Sequence, residues 1–333
     1  KRIKEDCYTK VIKTIQKYNL IEDGDKIVIG VSGGPDSMCL LDILIKVCKN
    51  SPLSLKIFVA HVNHMIRKEA IEEEEFVKNF CKKNNIEFYS KRIDVKKIAN
   101  TNKIGTEEAG RKVRYAFFDE ILNKTNSNKI AIAHNKNDKA ETIIMNILRG
   151  TGIIGLKGIE VKRDKYIRPL IECEREEIED YCKKQKLNPR IDKSNFDNIY
   201  TRNKIRNLVI PYIKKEFNYN IVNTLNRLSE IVTEEDEYIE NRVKKTYESL
   251  LIKENKNEII LDLKKFNLQE KVIKSRVILY TITRLFGSSN GIERIHIQDI
   301  VQLCSNNIGN KYLTPNKNTK VFVKNHKIYI SIV

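Results

Sequence analysis

The chain has 333 residues, with 62 Lys+Arg against 44 Asp+Glu, a formal charge of +18. With 41% hydrophobic and 32% charged residues it can bury a core, which excludes a disordered chain, and 13 Gly and 6 Pro exclude collagen. No apolar run approaches the roughly 20 residues that span a bilayer and the charged first residues carry no signal segment, so a soluble, cytoplasmic protein of two or three domains is expected.

Short β-branched apolar runs at 26–32 (KIVIGVS), 55–63 (LKIFVAHVN), 86–94 (IEFYSKRID) and 129–135 (KIAIAHN) predict strands. Segments of helical period lie between them at 36–48, 72–84 and 106–123, with another after Asn137. Strict alternation predicts right-handed crossovers and a parallel sheet covered on both faces, with ligands at the carboxyl ends of the strands. A fifth run, 166–170, leads to a helix at 173–186 whose acids precede its lysines, matching the helix dipole. From 183 to 215 there are ten basic residues and two acidic ones. A long helical pattern then runs from about 219 to 251, placing a boundary near 211–220 between domains 1–215 and 216–333. The remainder reads as a strand at 258–263, helices at 269–286 and 295–305, and strand-like runs around Lys311 and over 320–332. The last 33 residues carry five lysines and no acid.

The seven cysteines (Cys7, Cys39, Cys48, Cys81, Cys173, Cys182, Cys304) are odd in number, scattered and never spaced CxxC. They read as small apolar residues, with no disulfide framework or metal site indicated. The excess charge has two readings, a solvated lysine-rich surface or attraction to a polyanion such as nucleic acid, and charge alone does not choose.

Ser32-Gly33-Gly34-Pro35-Asp36-Ser37 follows the first strand and opens the first helix. Its two glycines let backbone N–H groups approach an anion, and the helix N-terminus adds partial positive charge. It is neither a Walker A loop nor GxGxxG. An ordinary turn with helix-capping residues is the competing reading.

This SGGxDS segment resembles the PP-loop of the N-type ATP pyrophosphatases. Further blocks resemble the tRNA(Ile)-lysidine synthetases: Ala60 to Arg67 (AHVNHMIR), Glu107 to Tyr115 (EEAGRKVRY), Ala133 to Thr142 (AHNKNDKAET) with Arg149-Gly150-Thr151-Gly152, then Arg168-Pro169-Leu170, Asp192-Lys193-Ser194-Asn195, and Tyr200 to Arg206 with Ile210-Pro211. Asn135, Asn137 and Gly110 depart from the usual His, Asp and Ala. The resemblance covers 26–211. It implies a Rossmann-like α/β fold, a parallel sheet with a PP-loop of the adenine nucleotide alpha-hydrolase type, followed by a mainly helical, mixed α+β C-terminal domain that binds tRNA. Longer members carry a further C-terminal domain, for which 333 residues are expected to leave no room.

The implied reaction has two steps on the wobble cytidine of an isoleucine tRNA (CAU anticodon). ATP adenylates the C2 oxygen and releases pyrophosphate; the ε-amine of lysine then attacks C2 and expels AMP. ATP and Mg²⁺ are the implied cofactors, tRNA(Ile) and L-lysine the partners, no membrane is involved, and whether the chain pairs as a homodimer is left open. Ser32, Gly33, Gly34, Pro35, Asp36, Ser37, His61 and His134 are expected at the nucleotide, with Asp36 on Mg²⁺ or as a helix cap. Arg111 and Arg114, three apart on one helix face, are expected on phosphates, with a solvated face as the alternative. Asp138 and Glu141, also three apart, are expected to hold the cationic ends of lysine or a second Mg²⁺, with dipole stabilisation as the plain alternative. Tyr200, Arg202, Asn203 and Arg206 are expected on RNA, by stacking and phosphate contact. Lys311, Lys317, Lys320, Lys324 and Lys327 form a second basic region, with a solvated surface as its alternative. The rival functions are a PP-loop tRNA sulfurtransferase, disfavoured by the cysteine spacing, and a non-catalytic nucleotide-dependent RNA-binding protein, disfavoured by Asp36, Asp138 and Glu141.

Overall fold

The computed structural model describes residues 5–65, 69–190, 198–288, 291–306 and 312–333, which fall into two compact units, Lys1–Glu230 and Ile231–Val333. Arg67, the Asp192 to Asn195 block and Lys311 lie outside the described residues.

The first unit runs α1 (Cys7–Lys17), β1 (Lys26–Gly30), α2 (Pro35–Asn50), β2 (Lys56–Asn63), α3 (Glu69–Lys83), β3 (Glu87–Arg92), α4 (Val95–Asn102), α5 (Thr106–Lys124), β4 (Lys129–Ala131), α6 (Lys136–Leu148), α7 (Ile153–Leu156), β5 (Lys162–Arg163), β6 (Tyr166–Ile167) and α8 (Arg175–Lys184). Then come α9 (Thr201–Lys204), a π-helical turn (Ile205–Val209) and α10 (Ile210–Glu216). The sheet order is β3-β2-β1-β4-β6-β5, parallel except for β5, which pairs antiparallel with β6. Ile27, Val28 and Ile29 are all fully buried, because both faces of the central strand are covered. Ile27 and Ile29 join Leu40, Leu41, Leu44 and Ile178 on one side, while Val28 meets Phe117, Phe118 and Ile121 of α5 on the other. β1 has β2 on one flank and β4 on the other, so the chain reverses direction across the sheet between them. A crevice forms at the carboxyl ends of β1 and β4, the place where open α/β sheets bind ligands.

The helix α11 (Ile221–Leu250) contains the division between the units, which therefore falls at Glu230/Ile231 rather than in the expected 211–220 region. The reason is packing: Val222 and Leu225 at its start join Ile143, Ile144, Ile205 and Ile210, whereas Val243, Tyr247 and Leu250 belong to the second core.

The second unit adds β7 (Leu251–Glu254), β8 (Glu258–Asp262), α12 (Leu263–Asn267), α13 (Lys271–Phe286), α14 (Arg294–Asn306), β9 (Tyr312–Asn316), β10 (Thr319–Lys324) and β11 (Lys327–Ile332). Its antiparallel sheet, order β7-β8-β11-β10-β9, turns Ile259, Leu261, Val321, Val323, Ile328 and Ile330 onto Val277, Ile278, Ile300 and Leu303. The run 320–332 is two strands, not one: Asn325 and His326 both adopt positive φ (49° and 57°) and turn the chain without a glycine to advertise it. Among the described residues no helix is long and apolar enough to cross a membrane.

Candidate active site at the sheet switch point

β1 hands the chain to the loop Val31 to Gly34, and Pro35 takes the first position of α2, where its missing N–H costs nothing. Gly33 sits at φ +92°, open only to glycine. The Ser37 hydroxyl ties the loop from inside, accepting from the N–H groups of Ser32 and Gly33 (both 3.1 Å) and donating to the Gly34 carbonyl (3.1 Å). Gly34, at the cap position, has no side chain to occupy the first-turn N–H groups of α2, which stay available to an anion.

Asn135 joins this loop to the other wall of the crevice. Its side chain accepts from the Asp138 N–H (2.9 Å), its own N–H donates to the Asp138 carboxylate (3.0 Å), and its amide donates to Asp36 (3.0 Å). That capping box fixes the start of α6 and pins Asp36 above it. Burial, and then the nearby Asp138 charge, push Asp36 up to about 6.

Asp138 and Glu141 share one face of α6, as their spacing requires, and three guanidiniums close over them. Arg206 donates to both oxygens of Glu141 (2.8 and 2.9 Å) and to Asp138 (3.0 Å). Arg202 reaches Glu141 at 3.1 Å and Asp138 at 3.3 Å, and Arg175 reaches Glu141 at 3.2 Å. Burial alone would raise Asp138, but the charges of Arg202, Arg206 and Arg175 outweigh it and hold the carboxyl below its usual range. Three cations on two anions leave the array with surplus positive charge.

His134, in the loop between β4 and α6, accepts from Arg168 Nε at Nδ1 (3.1 Å), and Arg168 is itself anchored on the Glu160 carbonyl (2.7 Å). A guanidinium only donates, so His134 is neutral with its proton on Nε2; burial drives it down to about 3. His61 Nδ1 donates to the Val31 carbonyl (2.8 Å), leaving Nε2 a buried acceptor with no partner among the described residues.

The PP-loop domain family matches residues 5–213. A tRNA(Ile)-lysidine synthase of Clostridioides difficile is 43% identical over 326 residues, 97% of this chain and 70% of that protein. The chain belongs to the tRNA(Ile)-lysidine synthase family. The synthases of Clostridium acetobutylicum (49% identical over 92% of this chain) and Clostridium tetani (46% over 92%) agree, and the chain spans 66% and 65% of their respective lengths. The fold is also that of a U34-tRNA thiolase, NcsA, from Methanococcus maripaludis with its [4Fe-4S] cluster (TM-score 0.55, 21% identity, covering 67% of this chain and 78% of the thiolase).

Within this lysidine synthase family chain the structure brings together the loop 32–37, Asp138, Glu141, Arg202, Arg206 and His134, with His61 behind the loop. Arg111 and Arg114 lie exposed on α5, in no ion pair among the described residues, with Arg111 in electrostatic reach of His134 and Arg114 of Arg202. Tyr200 precedes α9 and is 39% exposed; Asn203 is half-buried on that helix. Arg202 and Arg206, expected on RNA, are found paired with the carboxylates of α6, where buried Glu141 demands compensation. Sequence reasoning gave no role to Arg168, Arg175 or Asn135. Arg168 carried a signal in its RPL block and Asn135 in its position before α6, whereas no motif or spacing marks Arg175.

The cysteines are free and pack as the small apolar residues they were read to be, and several that are scattered in sequence come together in space. Cys7, from α1, lies 3.6 Å from Cys173 and 3.8 Å from Cys39, and Cys182 donates to the Pro35 carbonyl. These thiols meet inside the apolar core, and among the described residues no cluster of three or more His, Cys, Asp or Glu is arranged around a common metal position.

Proposed function

We propose that the chain catalyses lysidine formation: ATP-dependent adenylation of the C2 oxygen of the wobble cytidine of tRNA(Ile), then displacement of AMP by the ε-amine of L-lysine. The observation that carries this reading is the convergence at one switch point of an anion loop, a desolvated carboxylate (Asp36) and a cation-rich array, with family membership supplying the substrates.

The loop and the first turn of α2 hold the leaving pyrophosphate, and Arg111 and Arg114 meet negative charge building at phosphorus. Asp36 fits a Mg²⁺ ligand, being half-buried, raised in pKa and offered a single amide donor. Bound there, the ion would neutralise phosphate charge. His134, held neutral by Arg168, presents Nε2–H as a donor across the working pH range. Lysine is a nucleophile only when its ε-amine is neutral, and the surplus positive charge of Arg175, Arg202 and Arg206 lowers that amine's pKa. A tRNA phosphate drawing one arginine off Glu141 would free a carboxylate oxygen for the amine proton, so lysine binds tighter with tRNA present. The new N–C2 bond forms as the C2–O bond breaks, and AMP leaves with that oxygen. Cytoplasmic location belongs to this same reading.

The test is pyrophosphate release from ATP with and without tRNA, followed by incorporation of labelled lysine into tRNA. Pyrophosphate independent of tRNA would sink the proposal, and sulfur incorporation in place of lysine would select a sulfurtransferase.

A further inference from the structure

The second unit's sheet has an outer face unlike an ordinary solvated surface. Register places Tyr312, Phe322 and Tyr329 directly opposite one another on β9, β10 and β11. Alternation sends their neighbours Val321, Val323, Ile328 and Ile330 into the core, so the three rings stand on the other side. Phe322 and Tyr329 are stacked, 4.6 Å between centroids and 2° between planes, and Tyr312 is 63% exposed. Lys320 sets its ammonium 4.8 Å from the Tyr312 ring and 5.9 Å from Phe322. Lys324 and Lys327 lie on the same face, and residues 312–333 contain no acid. The acids on that face, Glu258 and Asp262 of β8, are turned to Lys253 and to the Lys265 N–H.

Phe322 and Tyr329 turn their faces to each other as a cross-strand pair and brace the row. Exposed Tyr312 at its edge offers a π-face to a base, and the lysines around it offer charge to the adjoining phosphates. We propose that this face stacks unpaired nucleotides of the tRNA substrate, a contact separate from the catalytic crevice. It rests on the tRNA reading of the function and adds what the second unit recognises: single-stranded rather than helical RNA.

The test uses the full chain. Phe322→Val with Tyr329→Val keeps strand propensity and removes the stack; it should cost roughly tenfold in affinity for a tRNA transcript and for an unstructured RNA, with the salt slope unchanged. The triple change Lys320→Gln, Lys324→Gln, Lys327→Gln should flatten that slope by about two. The parent chain should prefer the unstructured RNA over a blunt duplex. Affinity unchanged in a valine variant whose circular dichroism matches the parent, or equal binding of duplex and single strand, overturns the proposal. Should the valine variant misfold, ultraviolet crosslinking of the parent decides: adducts on the peptides holding Tyr312, Phe322 or Tyr329 support the face, and adducts only elsewhere overturn it. Parallel pyrophosphate assays separate the two readings. Release dependent on tRNA with a failed face loses this inference alone, whereas absent release loses the proposed function.

Discussion

Asp36 is a half-buried carboxylate beside Asp138, with one amide donor and no guanidinium of its own. Such a group costs stability in the ligand-free protein, and a cation bound beside it would relieve that cost. Asp36→Asn should therefore abolish tRNA-dependent pyrophosphate release while leaving tRNA retention on a filter largely intact. Without nucleotide the variant's melting temperature at neutral pH should equal or exceed the parent's; unchanged adenylation would remove Asp36 from the metal role. His134 behaves oppositely with pH. Its folded pKa, about 3, lies below the ordinary 6.5, so on acidification the unfolded chain takes up a proton that the folded chain refuses. Stability from this residue is present above 6.5 and is lost as pH falls toward 3. His134→Gln should shrink the drop in melting temperature between about pH 7 and pH 4, and an identical drop would show that His134 titrates freely.

At the scale of elements, α6 is the part on which the crevice depends. Its capping box, its two carboxylates and its approach to Asp36 all lie in the first two turns. Glu141→Gln would leave three guanidiniums with only Asp138, at a cost of about 3 kcal/mol, the usual range for breaking a buried pair. Thermal unfolding checks this; a shift within error would mean the arginines relocate freely to solvent. Asn135→Ala should cost about 1 kcal/mol for the lost cap and also release Asp36, so activity should fall further than stability predicts. The π-helical turn Ile205–Val209 has a local cause as well. Pro211 has no N–H to give and its ring crowds the preceding turn, and Ile210 donates to Ile205, five residues back. That wider turn carries Arg206 over Glu141.

For the whole molecule, the +18 charge predicts tRNA binding that weakens steeply with salt, while ATP binding measured without tRNA weakens far less. Titrations at several salt concentrations check this, and parallel slopes for the two ligands would refute it. Part of that charge is already spent inside the protein. Arg202 and Arg206 belong to the basic stretch 183–215, yet they compensate buried carboxylates, so removing them should lower the melting temperature as well as tRNA affinity.

The sequence by itself determined the strand and helix alternation, the parallel sheet, the loop at its switch point and the spacing of Asp138 and Glu141. These follow from period, glycine and capping chemistry, which act over a few residues. Only tertiary structure decided that Arg168 fixes the His134 tautomer, that Arg175 joins the carboxylates, and that Asn135 links α6 to Asp36. It also decided that four scattered cysteines meet in one core, and that Tyr312, Phe322 and Tyr329 align across three strands. Each is a pairing of residues distant in sequence or a matter of strand register. No local pattern specifies such contacts, because burial and long-range geometry set the partners.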